Sequence, residues 1–155
     1  MPNSAPIGIF DSGHGGLTVV KQLHKVLPHE NVVYFGDLAR VPYGSKTPAE
    51  IIGYNKEIMN FLAHQKSKMI LIACNTSSAI ALEDNRSEFA MPILGLIAPA
   101  ANLCAKLTKT KKVTVLATQA TVKSDAYAKQ IKMVDPQITV QSIACPEFVP
   151  LVEKH

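Results

Sequence analysis

Short apolar segments alternate with longer amphipathic segments along the chain. The apolar runs have the length of buried strands and end in polar or glycine-rich turns. They show little polar alternation, which is typical of parallel strands that are covered on both faces. The alternation of strands with helices favours right-handed βαβ units. We therefore predict an α/β fold with parallel sheets, whose strands lie at residues 7–10, 32–35, 69–73, 93–97, 113–117 and 138–144.

Two of the intervening segments carry apolar positions at helical spacing. The first covers residues 17–27 and stops before Pro28, and the second places the apolar side chains of residues 51–62 on one face. Thr47 followed by Glu50 has the spacing of a capping box, in which each side chain accepts from the backbone of the other residue. The sequence therefore predicts two well-defined helices between the first three strands.

A modest boundary lies near residues 92–99, where the helix after Cys74 ends and a new strand and helix begin. We predict a first α/β domain over residues 1–97 and the start of a second over residues 98–155. Cys104 then falls inside a helix of the second part, at residues 99–107.

Composition excludes several classes of protein. The 155 residues are 47% hydrophobic and 18% charged, which is typical of a globular protein and too apolar for a disordered one. The net charge is +4, but the sixteen lysines and arginines are scattered, so we predict no nucleic-acid partner. No apolar run approaches ~18 residues, so we predict neither a membrane span nor a membrane partner.

The three cysteines, at positions 74, 104 and 145, form no C-x-x-C pair. They are therefore expected to be reduced thiols in a cytoplasmic protein, with no zinc site and no disulfide framework. The five histidines show no metal-ligand spacing. We expect no bound metal and no cofactor.

Polar side chains recur directly after the predicted strands, where ligands bind in parallel sheets. The first such stretch, "DSGHGG", fails G-x-G-x-x-G because Thr18 replaces the third glycine, and no phosphate-binding P-loop motif occurs. Its backbone N–H groups could hold an anion such as a carboxylate. Alternatively, the stretch is a tight turn in which Asp11 or Ser12 caps the following helix.

Cys74 comes at the end of the third predicted strand, within "ACNTSSA". A buried cysteine is usually inert. At a strand-to-helix junction, however, the helix dipole is expected to lower the thiol pKa, and Asn75 and Thr76 would add hydrogen-bonding groups beside it. The residues alone leave both interpretations open.

Five motifs, taken together, resemble the cofactor-independent glutamate racemases of bacterial cell-wall synthesis. They are "GIFDSGHGGLTV", "DLARVPYGSKT", "ACNTSSA", "LATQATVKSDAY" and "ACPEFVPLVE", in the family's order. The resemblance implies two similar doubly wound parallel-sheet domains that enclose glutamate, with one catalytic cysteine from each. One thiolate removes the Cα proton and the opposite thiol returns a proton to the other face.

The resemblance also implies roles for individual residues. Cys74 would be one of the two acid/base thiols, and Asp11 would help it to handle its proton. Glu153 would lie beside the site. The substrate-binding positions implied are Asp11, Ser12, Pro42, Tyr43, Gly44, Asn75, Thr76, Thr118 and Thr121.

The motif that carries the second cysteine in this family, of the type G-C-T-H-Y-P, does not occur in these 155 residues. The first domain of the family is also completed by a later part of the chain. We therefore expect exposed apolar faces, poor solubility and a homo-oligomer, and no racemisation by this chain alone. Two alternatives stay open: a catalytically silent binding or assembly module, and a racemase that acts on aspartate.

Overall fold

A computed structural model describes residues 4–154 of the chain. All six predicted strands are confirmed, with boundaries that shift by one or two residues. The strands are β1 (Ile7–Asp11), β2 (Val32–Gly36), β3 (Met69–Ile72), β4 (Ile93–Gly95), β5 (Lys112–Ala117) and β6 (Thr139–Ala144). The helices are α1 (Leu17–Val26), α2 (Pro48–His64), α3 (Asn75–Ile80), α4 (Leu82–Arg86), α5 (Ile97–Leu107), α6 (Gln119–Ser124), α7 (Ala126–Val134) and α8 (Phe148–Glu153), with a 3₁₀ turn at Tyr43–Ser45.

Four parallel strands form the first sheet, in the order β2-β1-β3-β4. The chain moves from β1 outward to β2 and then crosses back to pair β3 with the other edge of β1. The strand order therefore reverses between β1 and β3. In doubly wound sheets, ligands bind at this reversal, beyond the carboxyl ends of the two strands.

Helices cover both faces of the first sheet. On one face, Val19, Val20 and Leu23 of α1 pack against a cluster that includes Ile7 and Ile9 of β1. On the other face, Ile58, Met59 and Leu62 of α2 pack in a second cluster with strand residues that include Phe10, Ile70 and Ile72. This two-sided burial explains the nearly continuous apolar character of β1 and β3, and it confirms the predicted α/β class.

The second sheet consists of β5 and β6, which pair in parallel. One of its faces packs against α5 and α7 through a core that includes Ala101, Ile131 and Ile138. The other face leaves Leu116 and Ile143 55% and 42% exposed, and these two residues are direct neighbours across the strand pair. Parallel sheets are normally covered on both sides, so this face lacks the cover that the first sheet has.

The start of α2 confirms the predicted capping box. Thr47 Oγ1 accepts from the backbone N–H of Glu50, and Glu50 Oε2 accepts from the backbone N–H of Thr47. At 17 residues, α2 is a long amphipathic helix with one buried face. Across residues 4–154, none of the helices combines the length and apolar character needed to cross a bilayer.

The division of the chain after residue 97 stays a prediction. The two sheets lie on either side of it, and α5 begins at that point. The outermost positions of the two predicted domains, residues 1–3 and 155, lie outside the described residues.

Candidate active site

Asp11, Ser12 and Cys74 lie together at the reversal of strand order. Asp11 is the last residue of β1, and Cys74 follows β3 by two positions and is the N-cap residue of α3. Because β1 and β3 are adjacent, the Ser12 hydroxyl comes within 3.3 Å of the Cys74 sulfur, although 62 residues separate them in sequence.

The "DSGHGG" turn is closed by its own carboxylate. Asp11 accepts from the backbone N–H of Ser12 at 2.8 Å and from that of Gly16 at 2.7 Å. Gly16 lies so close to Asp11 that an added Cβ would stand 2.6 Å from the Asp11 Cβ. The stretch is therefore a tight turn tied by Asp11, in which Gly16 rather than Asp11 or Ser12 is the N-cap residue of α1. An anion site at this turn stays a prediction.

The Cys74 thiol is buried, with only 4% of the residue exposed. Its sulfur accepts from the backbone N–H of Ser77 at 3.4 Å. Burial raises the thiol pKa, and the negative charge of Asp11 raises it further, against hydrogen bonds from Ser12 and Ser77 that lower it. The prediction that the pKa of Cys74 is lowered was wrong, because desolvation and a nearby carboxylate outweigh the amide dipoles at the start of a six-residue helix.

Three threonine hydroxyls join the two sheets beside the thiol. Thr76 on α3 lies 2.9 Å from Thr118 Oγ1, and Thr118 lies 3.0 Å from Thr121 Oγ1 on α6. Thr118 is also the N-cap residue of α6, since its hydroxyl accepts from the backbone N–H of Thr121. The structure thus brings together three predicted site residues that lie up to 45 positions apart.

Tyr43 is buried, and its hydroxyl donates to Asp37 Oδ2 at 2.5 Å. Arg40 Nε also contacts Asp37 Oδ2, at 2.7 Å, while the Arg40 guanidinium lies 4.3 Å from the centre of the Tyr54 ring. Burial and the Asp37 carboxylate raise the pKa of Tyr43 well above its usual range. The tyrosine is therefore a neutral donor within a fixed ionic network.

The backbone of the Pro42–Gly44 segment approaches the threonine cluster. A Cβ added to Gly44 would stand 2.9 Å from the Thr118 Cβ, so only glycine permits this contact without displacement. Pro42 is exposed and precedes the 3₁₀ turn. These residues border the threonine cluster from the loop side.

Tyr127 is a site residue that sequence reasoning did not single out. Its hydroxyl donates to Asn75 Oδ1 at 2.7 Å, which holds the amide of a predicted substrate-binding residue. Burial raises the pKa of Tyr127, so it remains a donor at neutral pH. The tyrosine of the "KSDAY" stretch was a signal that could have identified it, but its partner lies 52 residues away.

Glu153 reaches from α8 to the "DSGHGG" turn. Its carboxylate accepts from the His14 backbone N–H at 3.1 Å and contacts His14 Nδ1 at 2.6 Å. The His14 side chain is more than half exposed, whereas that of Glu153 is largely buried. Glu153 thus lies against the turn that follows β1, and its role beside a substrate site stays a prediction.

A cavity of about 590 Å³ lies between the two sheets and α8. Cys104 of α5 also lines it, and so do Tyr127 and apolar side chains such as Leu116 and Phe148. Pro42, Tyr43 and Gly44 lie outside its lining. The predicted residues that line this cavity are Asp11, Ser12, Cys74, Asn75, Thr76, Thr118, Thr121 and Glu153.

A model of the family described as Asp/Glu/Hydantoin racemase matches residues 15–154, which is most of the chain. The chain belongs to this family. Among curated members, the glutamate racemases of Trichormus variabilis and Geobacter metallireducens are each 49% identical to it, over 99% and 96% of this chain. The match covers only 52% and 55% of those relatives, so the chain spans about half the length of the curated relatives it matches.

Solved structures of family members share the fold. The glutamate racemase of Francisella tularensis, determined in complex with D-glutamate, superposes with a TM-score of 0.91 at 45% identity over 97% of this chain and 57% of its own. That of Thermus thermophilus, in complex with beta-chloro-D-alanine, gives a TM-score of 0.85 at 47% identity over 97% and 56%. The arrangement of β1, β3 and the second sheet is therefore that of the corresponding half of a racemase.

Proposed function

We propose that this chain carries one proton-transfer half of a glutamate racemase, with Cys74 as the acid/base that acts at the Cα atom of glutamate. The observation that carries the proposal is the Cys74 sulfur, which lies at the strand reversal in contact with Ser12 and lines a cavity that also holds the Asn75 amide and several hydroxyl groups. A related racemase of the same fold was determined with D-glutamate bound. Positioned acid/base groups typically accelerate proton transfer by ~10²–10⁴-fold.

Neutral donors in the cavity suit a substrate with two carboxylates. Ser12, Asn75 and the hydroxyls of Thr76, Thr118 and Thr121 can donate hydrogen bonds to carboxylate oxygens. These groups would hold the substrate without adding a fixed positive charge beside the thiol. We propose that they bind glutamate, with Tyr43 and Gly44 shaping the adjoining wall.

Proton transfer requires that Cys74 alternate between thiol and thiolate. The raised pKa of Cys74 keeps it protonated at neutral pH in the unliganded site, because it is buried beside Asp11. A protonated thiol is ready to deliver a proton to a Cα carbanion. In the reverse step Cys74 takes the Cα proton, so the thiol must first lose its own proton. We propose that Asp11 assists this loss in the complex with substrate.

The wider role follows from the family. We propose that the complete racemase works in the cytoplasm without a cofactor, as a homo-oligomer, and supplies D-glutamate for peptidoglycan synthesis. The second acid/base group would come from the motif that these 155 residues do not contain. For the chain by itself we therefore expect glutamate binding and proton exchange on one face.

The test is exchange of the glutamate Cα proton in D₂O, followed by NMR for each enantiomer, together with optical rotation. We expect slow exchange of one enantiomer, lowered at least ~10²-fold in Cys74→Ser. Cys145→Ser is the matched control, because Cys145 lies outside the cavity lining, and it should exchange like the unaltered chain. Calorimetric titration should show that Cys74→Ser still binds glutamate.

Failure to bind glutamate, or exchange that survives in Cys74→Ser, would contradict the proposal. Aspartate, tested in parallel, should exchange more slowly than glutamate; the opposite order would favour an aspartate racemase. Racemisation by the chain alone would show that a second acid lies within these residues, with Cys104 as the first position to substitute because it lines the same cavity.

A further inference from the structure

Asn55 is a fully buried amide on α2, away from the lining of the cavity. Its Nδ2 donates to the carbonyl oxygen of Ile51 at 2.7 Å and to Ser77 Oγ at 3.1 Å. A carbonyl oxygen only accepts hydrogen bonds, so the contact with Ile51 fixes which end of the amide is the nitrogen. Both amide hydrogens are then committed, and Ser77 Oγ is an acceptor toward Asn55.

Ser77 is equally buried and lies against the Cys74 sulfur. Its backbone N–H donates to the sulfur at 3.4 Å, and its side chain acts to lower the pKa of Cys74. A serine hydroxyl has one hydrogen and two lone pairs. Because Asn55 occupies a lone pair, the single hydrogen of Ser77 is free to point at the sulfur.

We propose that Asn55 is a positioning residue that turns the hydroxyl hydrogen of Ser77 toward the sulfur of Cys74. A donor aimed at the sulfur stabilises the thiolate over the thiol. Asn55 therefore opposes burial and the Asp11 charge, and keeps the thiol able to ionise during proton transfer. The proposal deepens the proposed function, on which its catalytic meaning rests, but the thiol can be titrated without any turnover.

The unused oxygen of Asn55 supports this interpretation. Its Oδ1 is buried and has no hydrogen-bond partner among the described residues. A buried acceptor without a partner destabilises the fold, and an apolar side chain of similar size would avoid that cost. The N–H donors of the Asn55 amide, rather than its packing, therefore explain why an asparagine stands at this position.

Other charged or titratable groups near the sulfur stay in place when Asn55 is substituted. They are Asp11 at the end of β1, Tyr34 on β2 and Tyr43 in the 3₁₀ turn, all of which couple electrostatically to Cys74. Asn55 itself carries no charge. A change in the Cys74 titration on its substitution can therefore be assigned to the Ser77 hydrogen bond.

The experiment measures the rate of Cys74 alkylation by iodoacetamide against pH, with the modified Cys74 peptide quantified by mass spectrometry. Thiolate is the reacting form, so the midpoint of the profile reports the thiol pKa. We expect Asn55→Leu to raise the midpoint by about one pH unit, a tenfold weaker tendency to ionise. Ser77→Ala should raise it similarly, and the double variant should go no further than Ser77→Ala.

Asn85→Leu is the matched control. Asn85 is also buried, donates through Nδ2 to a backbone carbonyl (Ile52, 3.1 Å) and leaves its Oδ1 without a partner among residues 4–154, but its amide does not donate to Ser77. Its substitution should weaken the fold comparably and leave the midpoint unchanged. If circular dichroism shows that either leucine variant is unfolded, Asn55→Ala and Asn85→Ala replace the pair.

An unchanged midpoint in Asn55→Leu, or an equal rise in both asparagine variants, overturns the proposal. A midpoint in the double variant that lies above that of Ser77→Ala also overturns the proposal, because Asn55 would then affect Cys74 without Ser77. Since no glutamate is present, these outcomes are independent of the exchange experiment. A midpoint that rises as expected in a chain without proton exchange would uphold this inference and reject the proposed function.

Discussion

Opposing influences act on one sulfur atom. Burial and the Asp11 carboxylate raise the pKa of Cys74, while hydrogen bonds from Ser12 and Ser77 lower it. A base that must both take and give a proton works best when its pKa is close to the operating pH. Single side chains around the sulfur are therefore expected to change its titration in predictable directions.

Asp11→Asn should lower the pKa of Cys74, because the substitution removes the nearby negative charge and keeps an acceptor for a backbone N–H. We expect the alkylation midpoint to fall by about one pH unit. Asp37→Asn is the control: Asp37 is also buried, but its carboxylate contacts Tyr43 and Arg40 instead. A midpoint that stays level or rises in Asp11→Asn would show that the charge of Asp11 is not what raises the pKa.

Tyr34 provides a test at alkaline pH. Burial and the nearby charges of Asp11 and Glu153 raise its pKa to about 12, against about 10 in an unfolded chain. The raised pKa stabilises the fold fully below pH ~10, and this contribution is lost as the pH rises toward 12. In urea unfolding, Tyr34→Phe should lose less stability than the unaltered chain between pH 9 and ~12; equal losses would refute the assignment.

Residue types and spacing gave the candidate thiol, but the sequence did not reveal its environment. Cys74 follows an apolar run, which the sequence displays directly. Its pKa was predicted in the wrong direction because burial, and after it the charge of Asp11, act on the thiol only once the fold brings distant elements together. Tyr127 and Asn55 escaped notice for the same reason, since each acts through a partner on another element.

At the scale of elements, α2 both closes one face of the first sheet and supplies Asn55. Its buried residues include Ile58, Met59 and Leu62, which pack on the strands. The same helix thus packs on the core and, through Asn55, donates a hydrogen bond to the Ser77 hydroxyl.

Thr47→Ala should destabilise the chain by about 1 kcal/mol, because it removes the N-cap hydroxyl that accepts from Glu50 N–H. Thr47→Ser, which keeps the hydroxyl, should recover most of the loss in urea unfolding. The hydrogen bonds that Glu50 accepts from Thr47 lower the pKa of Glu50. The stability that these bonds add is therefore present above pH ~4.3 and is lost as the pH falls through the lowered pKa of Glu50. Equal stability of the alanine and serine variants would contradict the role of the cap.

The elements were more predictable than their arrangement. The six apolar runs and the Thr47 cap signal carry local information, so strands and α2 could be placed from sequence. The order β2-β1-β3-β4 depends on which strands pair, and apolar runs of similar character do not specify this. The threonine cluster across the two sheets was consequently visible only in the structure.

At the scale of the whole molecule, the two sheets differ in how completely they are covered. The first has helices on both faces, whereas the second exposes Leu116 and Ile143. Phe148 and Val152 of α8, which line the same cavity as Leu116, are each more than half exposed. Contiguous exposed apolar surface on this scale promotes association. The expectation of a homo-oligomer from the sequence stays a prediction, and this face is where we expect contact.

Sedimentation velocity over a range of protein concentrations tests that expectation. We expect self-association that Ile143→Lys reduces, because a charge on this face must lose its hydration when the face is covered. Val26→Lys, on an exposed position of α1 against the other sheet, should associate as strongly as the unaltered chain. A chain that remains monomeric at all concentrations, or equal association by both variants, would refute the prediction.

Because of its contact with Ser12, Cys74 can also report when β1 and β3 pair during folding. The contact spans 62 residues and forms only when β3 has crossed back to pair with β1, a non-local step that slows folding of parallel sheets. Pulses of alkylating reagent during refolding would label Cys74 until that pairing occurs and spare it afterwards. The decay of labelling would thus give the lifetime of the unpaired strands, which is the interval in which a newly made chain is most vulnerable to aggregation.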